Sequence, residues 1–430
     1  MGKRVICFLL TGLLLCLPAF AAPAPELSVD AKAAILYEVS TDTVLFEQNA
    51  DDRLYPASTT KLLTALIAME YGNPADTVTV TSDAVDGLWE QGSSSYLLPG
   101  EEISFMDLLR YMLVASGNDA ANAMAIHISG SKEAFAELMN STALELGCTN
   151  SHFTNPNGLH DENHYTSARD LLLIAKAAMA NSTIAEIVAQ DEVTLPVTNK
   201  HSATTTKYTT NYLISKKSTG AYFYEGANGI KTGTTTPAGL CLIGSCVKGE
   251  YTYYSVVLGA EKMADGSSGQ FVETANLFRY GEQNFSKQIM LNASEPIAEV
   301  PVRLSEEKNC VIATPSESIA AMLPNTFEAS DLEIQYTVEE SVDAPVRVGD
   351  VLGTMTASYG GKEYHLNLIA SSDASRSTTL YVLDRVKAFL TSKIFRIVVG
   401  CIVGVILLFI GYVLLVNRKR IKRRRNRKRK

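Results

Sequence analysis

Tyr55-Pro56-Ala57-Ser58-Thr59-Thr60-Lys61-Leu62-Leu63-Thr64-Ala65-Leu66-Ile67-Ala68-Met69-Glu70-Tyr71-Gly72-Asn73-Pro74 is the stretch on which the reading of this chain turns. Pro near its start and Gly-Asn-Pro at its end bracket a predicted helix of about four turns. Leu62, Leu63, Ala65, Leu66, Ile67 and Met69 cover nearly every face, which places the helix in the middle of a domain. At its start Ser58 and Lys61 stand three residues apart, on one face and one turn from each other. Backbone N–H groups at a helix N-terminus stabilise negative charge developing at a carbonyl. A lysine on so apolar a helix loses solvation, which lowers its pKa and favours the neutral amine. A neutral amine beside a hydroxyl is the logic of a Ser–Lys nucleophile. Taken alone the pair is weak evidence, because an N-cap serine with a snorkelling lysine accounts for it equally well.

Two more polar elements follow in the chain. Ser116-Gly117-Asn118 interrupts an apolar helical pattern, Phe105 to Ala115, that opens on Ser104 and Asp107 in the manner of a capping box. A hydroxyl there can relay a proton, and an amide can grip a peptide carbonyl. Lys231-Thr232-Gly233 lies just ahead of two alternating runs, Gly239–Val247 and Tyr251–Leu258, which read as an antiparallel hairpin. Lys231 and Thr232 suit a carboxylate, and glycine at a strand edge lets a substrate backbone approach. Lys231 near Lys61 would depress the pKa of Lys61 further. Each element has a bland reading as a cap or a turn; their joint occurrence in this order does not.

Around these motifs the chain divides into two textures. Ala33–Tyr37 and Val44–Phe46 read as paired strands, a series of helical patterns follows (one at Ala168–Met179), and after the hairpin a helix at about Gln270–Tyr280 closes the region. Strands at both ends with helices between predict an α+β domain whose sheet joins the first and last segments. From about Ile297 short β-rich runs alternate with turn clusters such as Tyr359-Gly360-Gly361, predicting a small all-β domain. Asp384–Phe395 reads as an amphipathic helix leading into an apolar span.

Both ends address the chain to a membrane. Lys3 and Arg4 precede the apolar run Val5 to Phe20, which ends in Ala19-Phe20-Ala21, the pattern of a cleavable secretory signal over residues 1–21. Residues 397–416 carry no charge, and twenty residues at ~1.5 Å each span a bilayer core. The tail, 417–430, holds eleven Lys/Arg and no acid, so the body is expected outside the cell membrane and the tail in the cytoplasm. The formal net charge of −8 therefore conceals a strongly acidic body, which excludes nucleic-acid binding as its main task. A hydrophobic fraction of 46% with 20% charged residues excludes a disordered chain and a multi-span transporter.

Of the seven cysteines, Cys148, Cys241, Cys246 and Cys310 fall in the body, and no CxxC pair is present. Cys241 and Cys246 are an odd number of residues apart, so on one strand they face opposite ways. No cofactor or metal is expected. A zinc peptidase is the sharper rival, on His160-Asp161-Glu162-Asn163-His164, but the zinc pattern H-E-x-x-H needs a helix and this run follows the loop signal Asn155-Pro156-Asn157-Gly158. A β-lactamase-type hydrolase shares the serine, lysine and Lys-Thr-Gly elements and needs in addition a carboxylate to activate water, which no motif places.

Tyr55-Pro-Ala-Ser58-Thr-Thr-Lys61, Ser116-Gly-Asn118-Asp-Ala-Ala, Asn157-Gly158-Leu159 and Gly229-Ile-Lys231-Thr-Gly233 together resemble the low-molecular-mass penicillin-binding proteins, serine-type D-alanyl-D-alanine carboxypeptidases. The resemblance runs from about Ala33 to Tyr280, and Ala344-Pro345-Val346-Arg347-Val348-Gly349 resembles the accessory domain of the same enzymes. It implies a β-lactamase/transpeptidase-like catalytic domain at 26–282, a β-rich domain at 297–372 and membrane attachment at the C-terminus. It implies Ser58 as the acylated nucleophile, Lys61 as general base and Ser116 as proton relay to the leaving D-alanine. Asn118 would orient the peptide, and Lys231 and Thr232 would bind its carboxylate beside Gly233. Backbone N–H groups of Ser58 and Thr234 would form the oxyanion hole. The implied partners are a peptidoglycan stem peptide ending in D-Ala-D-Ala and β-lactam antibiotics. Relatives often carry His where Thr234 stands and Arg near the position of Tyr212.

Overall fold

The computed structural model describes residues 26–88, 96–217 and 220–427. The predicted signal, 1–21, lies outside them. The described chain divides into two compact units: residues up to Gln288 together with Ala321–Phe327, and Ile289–Ala320 together with the remainder from Glu328.

The first unit is built on a five-stranded antiparallel sheet. Its strands are β1 (Ala33–Glu38), β2 (Thr43–Gln48), β3 (Ala227–Thr235), β4 (Gly239–Lys248) and β5 (Tyr251–Ala260), in the order β2-β1-β5-β4-β3. The first and last segments do meet, through β1 and β5, with Ala33 opposite Leu258. Because β4 and β5 are buried on both faces, their side chains divide between two apolar layers. Cys241, Ile243 and Val256 face one core and Leu242, Cys246 and Val257 the other. The two cysteines thus point apart, as their spacing requires, and all cysteines of the described residues are free thiols.

The layer on the first of these faces is helical: α1 (Lys61–Tyr71), α2 (Phe105–Val114), α3 (Asn118–Ser129) and α4 (Ala168–Met179). In α1 the residues Leu62, Leu63, Ala65, Ile67 and Ala68 are buried, which is why this helix is apolar nearly all round. Ser104 caps α2 by accepting from the N–H of Asp107 at 3.1 Å. Gly130, at φ +81°, ends α3. Helix α5 (Gly269–Asn284) covers the opposite face through Phe271, Leu277 and Phe278.

The second unit holds a six-stranded sheet. Its strands are β6 (Ala298–Arg303), β7 (Cys310–Pro315), β8 (Glu333–Val338), β9 (Val342–Asp343), β10 (Val351–Tyr359) and β11 (Lys362–Ala370), in the order β8-β10-β11-β7-β6-β9. Its own core gathers Val300, Val311, Met355, Leu366 and Leu368. Helix α6 (Thr378–Thr391) and helix α7 (Lys393–Arg427) follow. The predicted amphipathic helix therefore begins earlier than Asp384 and stops before the span. Ser377 caps α6 by accepting from Leu380 N–H at 3.2 Å. Ser392 has an extended backbone and caps α7 by accepting from Phe395 N–H at 3.1 Å. Within α7, Lys393–Ile421 contains an 18-residue window of mean hydropathy 3.0, and the helix is long and apolar enough to cross a bilayer.

Candidate active site

Ser58 lies in one 3-10 turn, Ala57–Thr60, that runs directly into α1. The predicted helix thus opens with a tighter turn. Pro56 O accepts both Thr59 N–H (3.4 Å) and Thr59 Oγ1 (2.8 Å), and Ala57 takes a left-handed backbone at φ +50°. Such a conformation at a non-glycine residue costs roughly 1–3 kcal/mol, and the surrounding structure must impose it. Ser58 is half-buried, whereas Lys61 one turn on is fully buried.

Lys61 Nζ has three neighbours: Ser58 Oγ at 2.7 Å, Asn118 Oδ1 at 2.6 Å and the carbonyl oxygen of Asn157 at 2.7 Å. Burial pushes its pKa well below the usual lysine value. The Lys231 ammonium lowers it further, and the Asp119 carboxylate opposes both. The geometry decides what the neutral amine does. Two of the three neighbours are obligate acceptors and take its two N–H bonds, so the remaining lone pair faces the one group that can donate back, the Ser58 hydroxyl.

Ser116 sits at the junction of α2 and α3 with φ +62°, again left-handed. Lys231 Nζ lies 2.9 Å from Ser116 Oγ and 3.1 Å from the carbonyl of Thr232. Lys231 is buried, and burial lowers its pKa to about 7. Beside it Thr232 Oγ1 and Thr210 Oγ1 share a hydrogen bond of 2.5 Å. Gly233 is where β3 presses against the turn that carries Ser58. A Cβ there would come within 2.7 Å of Pro56 O and 3.0 Å of Ser58 N, so no other residue fits without moving one of the two segments.

The structure therefore brings together all eight residues singled out from the sequence. Ser58, Lys61, Ser116, Asn118 and Lys231 are joined by hydrogen bonds through Lys61 on one side and Ser116–Lys231 on the other. Ser58, Ser116, Thr232, Gly233 and Thr234 line a cleft of about 350 Å³, shared with Thr210, Tyr212, Leu240, Ser268, Gln270 and Phe271. Thr210 and Gln270 lie in no motif, and Asn157, although it falls in the quoted run Asn157-Gly158-Leu159, contributes a backbone carbonyl that its side chain does not announce. The two imidazoles of the zinc pattern do not converge on a shared ion. His160 stacks edge-on with Tyr55 at 4.6 Å, and both ring nitrogens of buried His164 are engaged, with Thr60 Oγ1 and Thr154 N–H. No cluster of three or more metal-ligating side chains occurs among the described residues.

A sheet flanked by helices, with a serine, two buried lysines and an asparagine around one cleft, is the arrangement of a penicillin-binding serine peptidase. The chain belongs to the D-alanyl-D-alanine carboxypeptidase family, Peptidase S11, whose model matches residues 19–262, and residues 285–388 match the penicillin-binding protein 5 C-terminal domain. It is 32% identical to D-alanyl-D-alanine carboxypeptidase DacF of Bacillus subtilis over 84% of this chain and 91% of that one. With D-alanyl-D-alanine carboxypeptidase DacA of Escherichia coli K12 it shares 31% identity over 78% and 81%. The fold matches penicillin-binding protein 5 from Haemophilus influenzae at a TM-score of 0.59 and 29% identity, covering 82% of this chain and all of the other. The carboxypeptidase DacD from Francisella tularensis, at 23% identity and a TM-score of 0.62, shares the fold over 83% of this chain and 97% of its own.

Proposed function

We propose that the chain is a serine D-Ala-D-Ala carboxypeptidase that trims the terminal D-alanine from peptidoglycan stem peptides through an acyl-enzyme on Ser58. The observation that carries this reading is the coordination of Lys61, whose Nζ lies 2.7 Å from Ser58 Oγ with Asn118 Oδ1 and the Asn157 carbonyl as its other two partners. Ser58 attacks the carbonyl of the penultimate D-alanine, and Lys61 takes its proton. The N–H groups of Ser58 and Thr234 stabilise the oxyanion. Ser116, 2.9 Å from Lys231, relays the proton taken up by Lys61 to the leaving amine, so that Lys61 is neutral again and Ser116 keeps its hydroxyl. Lys231 and Thr232 hold the departing carboxylate, and Asn118 orients the peptide while holding Lys61. Water then cleaves the ester and restores the hydroxyl. A β-lactam acylates the same oxygen and, having no group that departs, leaves slowly.

The apolar helix α7 fits a membrane anchor. We assign residues 1–21 to a cleaved signal, 26–282 to the catalytic domain, 297–372 to the accessory domain, 397–416 to a single span and 417–430 to a cytoplasmic tail. The catalytic domain then faces the cell wall.

Ser58→Ala is expected to abolish covalent labelling by fluorescent penicillin, with circular dichroism and thermal unfolding unchanged. Mass spectrometry of the intact wild-type protein should show one penicilloyl adduct, on the peptide containing Ser58. Labelling that survives the substitution refutes the assignment of the nucleophile.

A further inference from the structure

The pair His160…His164, whose spacing makes a weak zinc pattern, leaves His164 to be explained. It is 2% exposed and stands 104 residues from the residue it touches, Thr60. Its two nitrogens have different partners. Thr154 donates its backbone N–H to Nδ1 at 3.0 Å, which makes Nδ1 the unprotonated nitrogen. The proton therefore sits on Nε2 and is donated to Thr60 Oγ1 at 2.8 Å. Burial drives the imidazole pKa down to about 3, so this neutral tautomer persists across the physiological range.

Thr60 is the last residue of the turn that carries Ser58 and the one before Lys61. His164 closes the loop that supplies the third neighbour of Lys61. The backbones of His152 and Tyr165 pair at the base of this loop (2.8 and 2.9 Å), and Leu54 and Thr166 pair just beyond it (2.7 and 2.9 Å). At the tip Thr64 Oγ1 donates to Pro156 O at 2.6 Å, and Gly158 packs where a Cβ would fall 1.9 Å from Ala57 O. The Asn157 carbonyl is thereby presented to Lys61.

We propose that His164 is a positioning residue for acylation: its Nε2–H grips Thr60 and locks the Ser58 turn to the loop that presents the Asn157 carbonyl, so that the Lys61 lone pair is held on Ser58. This rests on the carboxypeptidase reading above. His164 is not among the residues that line the cleft, and its hold on the Ser58 turn is through Thr60.

The test uses the full-length protein and fluorescent penicillin. The dependence of the labelling rate on penicillin concentration resolves the acylation rate constant and the non-covalent dissociation constant as separate quantities. His164→Gln retains a donor at the position of Nε2, and His164→Asn retains only an acceptor at the position of Nδ1. The Asn variant and Thr60→Val are expected to acylate about ten- to a hundredfold more slowly, with the non-covalent dissociation constant unchanged. The Gln variant should stay within about threefold of wild type, and Thr60→Val/His164→Asn should be no slower than the slower single variant. Acylation of His164→Asn at the wild-type rate overturns the proposal. So does a Gln variant as slow as the Asn variant, or a loss of rate that follows melting temperature across the set, since either would mean that the imidazole merely fills space. A wild-type protein that takes no label at Ser58 overturns the parent reading instead, and this proposal with it.

Discussion

Two lysines beside this cleft are buried, neither with an ion-paired carboxylate among the described residues, and their electrostatics set the pH response. Lys61 must be neutral to accept a proton, so acylation should rise with pH through its lowered pKa. Lys231 must be charged to attract a carboxylate, and in the free protein it loses its proton as pH passes about 7. A bound carboxylate favours the charged form and raises that pKa again. The expected outcome is that kcat/KM for a D-Ala-D-Ala peptide declines above about pH 7 while kcat holds to higher pH. A common decline of both at the same pH would exclude Lys231 as the group responsible. His164 makes a separate contribution to stability. Its pKa falls from 6.5 to about 3 on folding, so below pH 6.5 the unfolded chain binds a proton that the native state refuses. The native state should lose about 4 kcal/mol from this source between neutrality and pH 3. Acid titration followed by circular dichroism should show His164→Gln unfolding at a lower pH than wild type.

Between elements, the decisive contact is that of strand β3 with the turn before α1. The strand brings Lys231 and Thr232 to the cleft only because Gly233 lets backbone meet backbone. Gly233→Ala is expected to cost about 1–3 kcal/mol of stability by overpacking. It should slow penicillin acylation by at least about tenfold, because β3 or the nucleophile's turn must shift. A stopped-flow labelling rate equal to wild type would show that the sheet edge has slack here. The break between α2 and α3 works in the same way. It interrupts a helix so that Ser116, with a left-handed backbone, sits against Lys231.

At the scale of the whole chain the two units have different tasks. The first carries the complete cleft, and the second leads into the apolar helix α7. Ending the chain at Ser392 should release the protein from membranes in a carbonate wash and leave penicillin acylation within about twofold of the untruncated rate, since among the described residues none that lines the cleft lies beyond Phe271. A truncated protein that still sediments with membranes would place the attachment elsewhere.

Much of this is legible in the sequence. The apolar helix behind Ser58, the order of the three motifs, the sheet closed by first and last strands, and the opposed cysteines all follow from periodicity and spacing, which local backbone geometry enforces. What cannot be read there is anything supplied by backbone or by distant neighbours. The Asn157 carbonyl has no side-chain signature. Thr210 and Gln270 lie in no motif. The role of His164 depends on a partner 104 residues earlier. Residue types and their local spacing alone determined which groups have the chemistry, because reactivity belongs to side chains. Only the tertiary structure decided which way the amine's lone pair points, because that direction depends on where two remote acceptors come to rest.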